Sequence, residues 1–542
     1  MKKKFLYSLF LLLSIGVPIA VQASCQANCN QLLQCNDTVC SCPCSGKTYF
    51  ANRPLFQSYR GEFIAGFRND KMLAAQKGWG GALDVVAYGG QSSDGAGLAS
   101  YFLPFCKNKL LVTEALDTIG TSNPGDLLSE HFNIFTVNGT FSSTIAFCAR
   151  HDEYGVGVHW KQGFGFCDDA ASALGNSNKW WYIDIAVPVT QVRNLICIDE
   201  KITNNGGGIN TNVATGGSPD AVPNMVAAFA QNAWNFGKII SGAFLKKTGV
   251  ADIELKFGRQ WLWQDCCNMA SYIGVLIPTG NAPCGQFVFE PVVGHGKHAG
   301  IIWGGEGTMD MWADCDHAKS VSIGVAAQMQ YLFKRKQVRS FDLKNKPWSR
   351  YQDVYANVDQ ATEAANTANS TLSTPGINVF TQCVNVTPGL QVNATTALII
   401  NADNGFEGEV GYNFYGHHQE CVSLAQPWVL GPALKAKVGA GETNPVRNIT
   451  PSAKLNILAL NNAAPPPAAN YNLSLIQEAD LDLQSAAHPY YFSHTVHANV
   501  GHRWDDQCYP TYLGAGGSYE FALHEVSAMR RWTVWGKFNV AF

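Results

Sequence analysis

Charge is scarce in this sequence. Only 15% of its 542 residues are Asp, Glu, Lys or Arg, against about a quarter in an ordinary soluble protein. Lysine and arginine (38) fall short of aspartate and glutamate (41), for a net charge of −3. That balance argues against a nucleic-acid partner, which would favour a basic patch. Long apolar runs are scarce too. Beyond the first twenty residues the best candidate for a membrane helix is NMVAAFAQNAWNFGKIISGAFL (224–245), and Gln231, Asn232, Asn235 and Lys238 interrupt it. With mean hydropathy near zero, a helical membrane protein is excluded. Catalytic signatures are missing: there is no GxSxG elbow and no HExxH helix. The GKT at 46–48 makes no phosphate loop, because Ser41 stands where the first glycine is needed. No enzyme, no cofactor and no metal site are expected. The pairs His295/His298, His417/His418 and His494/His497 read as lumen or rim histidines, and on a strand His494 and His497 point to opposite faces.

What is present is glycine (52), aromatic side chains (11%) and cysteine (17). Low charge with many glycines and aromatics suits a barrel set between lipid and water, and equally a large secreted β protein. The N-terminus predicts export: Lys2, Lys3 and Lys4 precede an apolar stretch (5–20), and Val21 and Ala23 are the small residues of a cleavage site, giving a signal peptide over 1–23. Removing three lysines takes the net charge from −3 to −6. In an oxidising compartment the crowded Cys25, Cys29, Cys35, Cys40, Cys42 and Cys44, and the adjacent Cys266 and Cys267, are disulfide candidates. Residues 24–57 are expected to form a cysteine-rich periplasmic segment.

The rest of the chain alternates. In RWTVWGKFNVAF (531–542), Trp532, Val534, Gly536, Phe538, Val540 and Phe542 share one face, and Arg531, Thr533, Trp535, Lys537, Asn539 and Ala541 the other. The same pattern runs through 251–263, 320–333, 405–417, 491–502 and 517–526. Less regular candidates are 59–68, 79–90, 98–105, 109–116, 140–149, 153–164, 180–195, 267–277, 285–293 and 297–306, with HDEYG (151–155) read as a hairpin turn. Three charges on one face, as with Asp252, Glu254 and Lys256, do not enter a dry core cheaply. The expectation is about sixteen strands, with an amphipathic helix over 221–247 and long loops near 200–247, 345–393 and 425–475. Trp79, Trp160, Trp180, Trp181, Trp261, Trp263, Trp532 and Trp535 lie near strand ends, as in an interfacial girdle.

The signal peptide, the alternating strands and the terminal aromatic together resemble Gram-negative outer-membrane β-barrel proteins. LIPTG (276–280) followed by FVFEPVVGHGKHAG (287–300) is similar to a strand–turn–strand of outer-membrane channels. The cysteine content is similar to that of chlamydial major outer membrane proteins, although this chain is longer. The resemblance implies a bacterial outer-membrane location and an all-β fold, a single transmembrane antiparallel barrel of 14–18 strands over 58–542. It also implies outer-membrane lipid and the barrel-assembly machinery as partners, the latter reading Phe538, Val540 and Phe542 as its signal. Asp252, Glu254, Lys256, Glu407, Glu409, Asn413, Lys537 and Asn539 are expected to line a water-filled pore. The expected function is porin-like diffusion of small hydrophilic solutes. The alternatives are a disulfide-cross-linked envelope protein, an uptake channel plugged by 224–245, and a homo-oligomeric arrangement of either.

Overall fold

The computed structural model describes residues 46–56, 80–104, 109–114, 127–167, 179–212, 217–264, 266–314, 319–344, 346–355, 373–429, 433–434, 476–504, 509–522 and 528–542, the side chains of 165–167, 263–264 and 433–434 excepted. The chain divides into two units, Met1–Pro43 and Cys44–Phe542, and all described residues belong to the second. The signal peptide, the six crowded N-terminal cysteines, the strand expected over 59–68, and Trp79 therefore lie outside the described residues.

Twelve strands close into a barrel: β1 (Gly81–Ser92), β2 (Ser142–Cys167), β3 (Lys179–Asn204), β4 (Ile253–Gln264), β5 (Cys267–Ile277), β6 (Gly300–Ala313), β7 (Ser320–Leu332), β8 (Gly389–Asn401), β9 (Phe406–His417), β10 (Tyr491–Trp504), β11 (Thr511–Phe521) and β12 (Arg531–Ala541). Each pairs antiparallel with its sequence neighbour. The ring closes between β12 and β1, from Ala82 opposite Ala541 to Ser92 opposite Arg531. Beyond the ladder, Gly81 and Phe542 exchange both backbone hydrogen bonds, at 2.7 and 2.9 Å. Closure leaves no unpaired edge, the condition for a sheet to stand in lipid. No helix among the described residues is long and apolar enough to cross a membrane.

The connections are asymmetric. At the end holding Gly81 and Phe542 they are short (168–178, 265–266, 314–319, 402–405 and 505–510), and at the opposite end they include 93–141, 205–252, 333–388 and 418–490. Short turns on the periplasmic side and long loops outside are the habit of outer-membrane barrels. The outer surface agrees. Val158, Leu255, Ile273, Val275, Leu398, Val410, Val496, Val500, Leu513 and Val534 are all exposed, which a water-soluble sheet would not tolerate as a continuous band. Trp160, Trp181, Trp261, Trp312 and Trp504 ring the turn end, and Tyr154, Tyr331, Tyr519 and Trp532 the loop end, each exposed on the outer face. Trp532 and Phe542 are ten residues apart on β12, about 33 Å along the strand. At a tilt of about 40° this spans about 25 Å of height, the apolar band of such barrels. The protein is an outer-membrane β-barrel.

The long strands β2 and β3 locate the rim. Below it, the outer face carries Tyr154, Val156, Val158 and Trp160, and the inner face His151, Glu153, His159 and Lys161. Above it the assignment reverses: Thr144, Arg150 and Asp152 are outside, while Ile145, Phe147 and Ala149 are buried inside. β3 does the same, with Ile185, Val187 and Val189 outside below the rim and Ile196 and Ile198 inside above it. The strand is unbroken; its surroundings change from lipid outside to water outside. The HDEYG segment is thus mid-strand, and 140–149 and 153–164 form one strand, not two.

Other expectations are corrected here. The strand expected over 98–105 does not form across its described residues, 98–104; a short helix covers Gly95–Ser100, with Asp94 accepting from the Gly97 N–H at its start. The 285–293 stretch is irregular, its turns tied by Glu290, which accepts backbone N–H bonds from residues 284–287. The strand–turn–strand read from LIPTG therefore does not form. The helix expected over 221–247 shrinks to Met225–Ala230. Of the sixteen expected strands, 140–149 and 153–164 fuse, 98–105 and 285–293 are absent, 109–116 forms Lys109–Thr113 against β2 above the rim and outside the ring, and 59–68 lies outside the described residues, while Gly389–Asn401 was not expected; the barrel has twelve strands and not 14–18. Trp180 and Trp535 are buried inside the barrel and so belong to no girdle.

A lipid-facing position should not accept charge. Val410→Arg, at a residue 64% exposed in mid-belt, is expected to destabilise the barrel by about 2–4 kcal/mol in vesicles, measured by denaturant titration of tryptophan fluorescence. A water-exposed position would be nearly indifferent.

Candidate functional site: the barrel lumen and its cap

The inner face is built by the second member of each alternating pair, and it is densely charged. Near the turn end, Asp84 lies 3.0 Å from Lys537 Nζ and 3.1 Å from His159 Nδ1, and accepts from Asn539. His159 Nε2 is 2.8 Å from Asp184, so one imidazole bridges two carboxylates. Lys161 reaches Glu306 at 3.2 Å and sits over the Tyr182 ring; Lys256 reaches Glu254 at 3.2 Å and sits over Tyr272. On the opposite wall His497 Nε2 is 3.0 Å from Glu409, and Arg503 is 3.6 Å from Glu407. Apart from Arg503, these side chains are almost fully buried. Ions withdrawn from water this far are tolerated only when paired, and except for Glu254 with Lys256, both on β4, the pairs named run across strands.

Halfway up, the chain's own N-terminal side enters the lumen. Residues 46–56, expected as part of a periplasmic segment, run from the cap, where Phe50 joins the aromatic core, into the barrel. Arg53, 4% exposed, is 3.0 Å from Glu520 Oε1, donates to Asn413 Oδ1 at 2.8 Å and lies over the Tyr415 ring. Glu520 also takes Arg531 Nε at 2.7 Å and Ser493 Oγ at 2.7 Å. The Leu55 N–H donates to Glu153 at 3.0 Å, and Phe56 stacks on Tyr88 and packs over Gly157, where a side chain would collide with its ring.

Above the rim a cap closes the mouth. One core gathers Phe132, Phe229, Trp234, Trp348 and Tyr351 against Phe147 and Ile198 of the extended strands. The 224–245 segment belongs here, through Phe229, Trp234 and Ile239. A second core, with Phe341, Phe380, Val384 and Ile476, lies under a three-stranded sheet of Arg335–Ser340, Thr381–Thr387 and Cys421–Leu424. Buried pairs fasten it: Arg350 to Asp342 at 2.6 Å, with Asp342 also accepting the Trp348 and Arg350 N–H groups, and Arg339 to Glu420 at 3.4 Å. The N-terminal segment is tied in through Arg339 over the Tyr49 ring, and through Thr48 N–H to Ser485 O at 3.1 Å.

All eight residues expected to line a pore lie on the inner side and are buried. The structure joins Glu254 with Lys256, and places Asn413 against Arg53, Lys537 and Asn539 on Asp84, and Glu407 and Glu409 on Arg503 and His497. Asp252 stands apart, at the loop end, where it accepts the His295 N–H and lies 2.8 Å from its ring. All eight are buried against other side chains of the interior. Phe538 and Phe542 are exposed on the outer face, with Val540 half-buried between them. His494 lies outside against Tyr412 and His497 inside against Glu409. Cys266 and Cys267 sit at a turn with sulfurs 3.8 Å apart, beyond bonding distance. Among the described residues no cluster could hold a metal ion. Sequence reasoning missed Asp84, His159, Lys161, Asp184, Glu306 and Glu520. Their signal was available, since each sits in phase with buried neighbours on a strand. Arg53 carried none, being in an irregular segment.

No protein-family model and no curated protein matches this sequence. Among solved structures, an outer-membrane channel from Pseudomonas putida matches with TM-score 0.33 and 7% identity, over 85% of this chain and 96% of that one. The transport unit of the autotransporter AIDA-I from Escherichia coli matches with TM-score 0.31 and 5% identity, over 85% and 90%. A Pseudomonas aeruginosa FadL homologue matches with TM-score 0.27 and 9% identity, over 91% and 99%. Likeness this faint carries no functional argument, and the assignment to the outer membrane rests on this chain's own strands and belt.

The cap holds histidines neutral. His298 Nδ1 donates to the Phe333 carbonyl at 2.8 Å while Nε2 accepts from Gln337 at 2.9 Å, and burial lowers its pKa. His488, packed between the rings of Phe50, Tyr101 and His417, is lowered further, again chiefly by burial. In the unfolded chain both would protonate near pH 6.5. Below that pH the unfolded state binds more protons, so cap stability falls as pH drops from about 6.5 towards the lowered values. Limited proteolysis of the cap should accelerate between pH 7.5 and 5.5. His488→Phe, which keeps the ring and cannot be protonated, should flatten part of that dependence.

Proposed function

We propose that this barrel is a gated outer-membrane channel for small polar solutes, closed in the conformation described by its cap and, within the lumen, by its own N-terminal segment. One observation carries the reading: Arg53 enters the lumen on an irregular segment and pairs with Glu520 of the wall. The permanent wall is polar and charged, as a hydrophilic pathway requires. The occluding group is Arg53 on an irregular segment and not a wall strand, so it can withdraw without opening the barrel. Once it leaves, Glu153, Glu520, Asn413 and Arg531 become the constriction, and their mixed signs favour small solutes carrying both donors and acceptors. Passive, unobstructed diffusion of the general porin kind does not describe the closed state.

A second reading, a cross-linked envelope scaffold, draws on the exposed thiols of Cys148, Cys266, Cys284 and Cys383. Non-reducing electrophoresis of envelopes separates the two. Reducible ladders support the scaffold, and a single monomer band speaks against it.

Planar-bilayer recording tests the channel. Arg53→Ala and Glu520→Gln should each raise open probability about tenfold over the parent, which corresponds to about 1.4 kcal/mol. Heat-modifiable mobility on gels would verify folding of both variants. Unchanged gating in both, with folding intact, removes the N-terminal gate.

A further inference from the structure

Just above the belt, on the outer wall of β2 and β3, lies a cluster of cations. Arg150 Nε donates to Asp152 at 2.8 Å, and Arg193 donates to the same carboxylate at 2.6 Å and to Tyr154 Oη at 2.8 Å. Both guanidiniums flank the Phe244 ring, at 5.5 and 4.7 Å. Lys246 pairs with Arg193 across the next ladder, Leu245–Val250 against β3, and is exposed. Directly opposed residues share a face, so three cations lie on one face with Asp152, which pairs with both arginines and is itself fully buried.

Immediately below, the wall sinks. A shallow, open groove with about 650 Å3 of accessible space crosses β12, β1, β2 and β3. Its floor is Ala87, Gly89 and Gly536, and its sides are Tyr154, Val156, Val189 and Val534. The registers align these residues: Val189 opposes Val156, which opposes Ala87, which opposes Gly536. The Tyr154 hydroxyl joins groove to cluster, being the acceptor of Arg193.

We propose that this face binds a phosphorylated acyl lipid of the loop-side leaflet, its acyl chain in the groove and its phosphate on Arg150, Arg193 and Lys246. Two features select that occupant. The groove opens on the apolar belt, where hydrocarbon is the solvent. The cations sit one residue pair above the apolar row, at headgroup height, with excess positive charge that an anionic headgroup would neutralise and a zwitterionic one would not. Guanidinium forks suit phosphate oxygens. The proposal goes beyond the channel reading and depends only on the rim position.

Native mass spectrometry of the detergent-folded, full processed chain tests it, with lipid A and phosphatidylcholine as probes. Lipid A should be retained and phosphatidylcholine lost. Arg193→Ala/Lys246→Ala should reduce retention at least tenfold. Arg193→Ala also frees the Asp152 carboxylate, so a second variant works from the groove side. Gly536→Leu points into open space, with nothing nearer than 3.9 Å to its Cβ. It should fold normally and lower retention by filling the groove. Lys201→Ala, exposed on β3 and remote from the groove, should leave retention unchanged. Equal retention of both lipids, full displacement of lipid A by inorganic phosphate, or wild-type retention by both the cation and groove variants would overturn the proposal.

Discussion

The whole structure depends on satisfying backbone hydrogen bonds where no water is available. A peptide group left unpaired in hydrocarbon costs several kcal/mol, so the sheet must return on itself, and it does so where β12 meets β1. Once the ring is closed, every strand has a lipid side and an inner side, and a two-residue side-chain period is forced on all twelve. The belt of Val, Leu, Ile and Trp follows from the first side. The second side is left to gather the polar residues that the belt excludes, and in a ring of twelve strands those residues face one another at short range. Pro188 illustrates the constraint. Its carbonyl accepts from Ala251 on the β4 side, and its missing N–H would face the same way, where the chain passes from the Leu245–Val250 segment to β4. A proline is tolerated in the wall because the ladder is already interrupted there.

β2 and β3 carry the barrel's geometry beyond the membrane. Each has 26 residues, about two and a half times the 9–11 a tilted crossing needs. Because the backbone continues without a turn, what reverses at the rim is only which face is apolar. Outside, lipid gives way to water and Val156 and Tyr154 to Asp152 and Arg150. Inside, the ion network gives way to the dry cores of the cap, and Glu153 to Ala149 and Phe147. The cap therefore grows out of the wall and shares its strands, so its aromatic cluster around Trp348 and Tyr351 is held in register with the lumen beneath it.

This reversal explains what the sequence concealed. Within one environment, alternation is legible: Cys267–Ile277 appears with the bounds expected of it, and Ser320–Leu332 and Phe406–His417 within a residue. Across 151–155 the hydrophobic phase slips by one, and a phase slip reads as a turn. Burial of Trp180 and Trp535 was hidden for a related reason. Indole suits both an interface and a packed lumen, and in Trp180–Trp181 adjacent residues take opposite fates by parity alone. Pore-side positions such as Glu407 and Lys537 could be placed on a face from spacing, but their partners, Arg503 and Asp84, come from other strands, and only register identifies them. The 285–293 stretch reads as a strand because Phe287, Val288, Phe289, Val292 and Val293 are strand-forming residue types, though without regular alternation. Glu290 decided otherwise, by drawing four successive backbone N–H groups to one carboxylate.

The lumen's charges also bear on how such a barrel could open. A buried ion pair is a weak source of stability, because the attraction between partners roughly offsets the water each has lost. Its specificity lies in what happens when one partner leaves: the other is stranded at a cost of about 3–5 kcal/mol. In the wall, partners such as Asp84 and Lys537 are both fixed to strands and cannot separate without breaking the barrel. Arg53 differs, since its carboxylate partner belongs to the wall and its own backbone does not. Glu520 keeps Arg531 when Arg53 departs, so the stranded charge is shared and not isolated. The remaining deficit is one that water, or a cationic group on a passing solute, can fill. A wall of mutually fixed pairs with one replaceable member near its middle keeps its shape whether that member is present or absent.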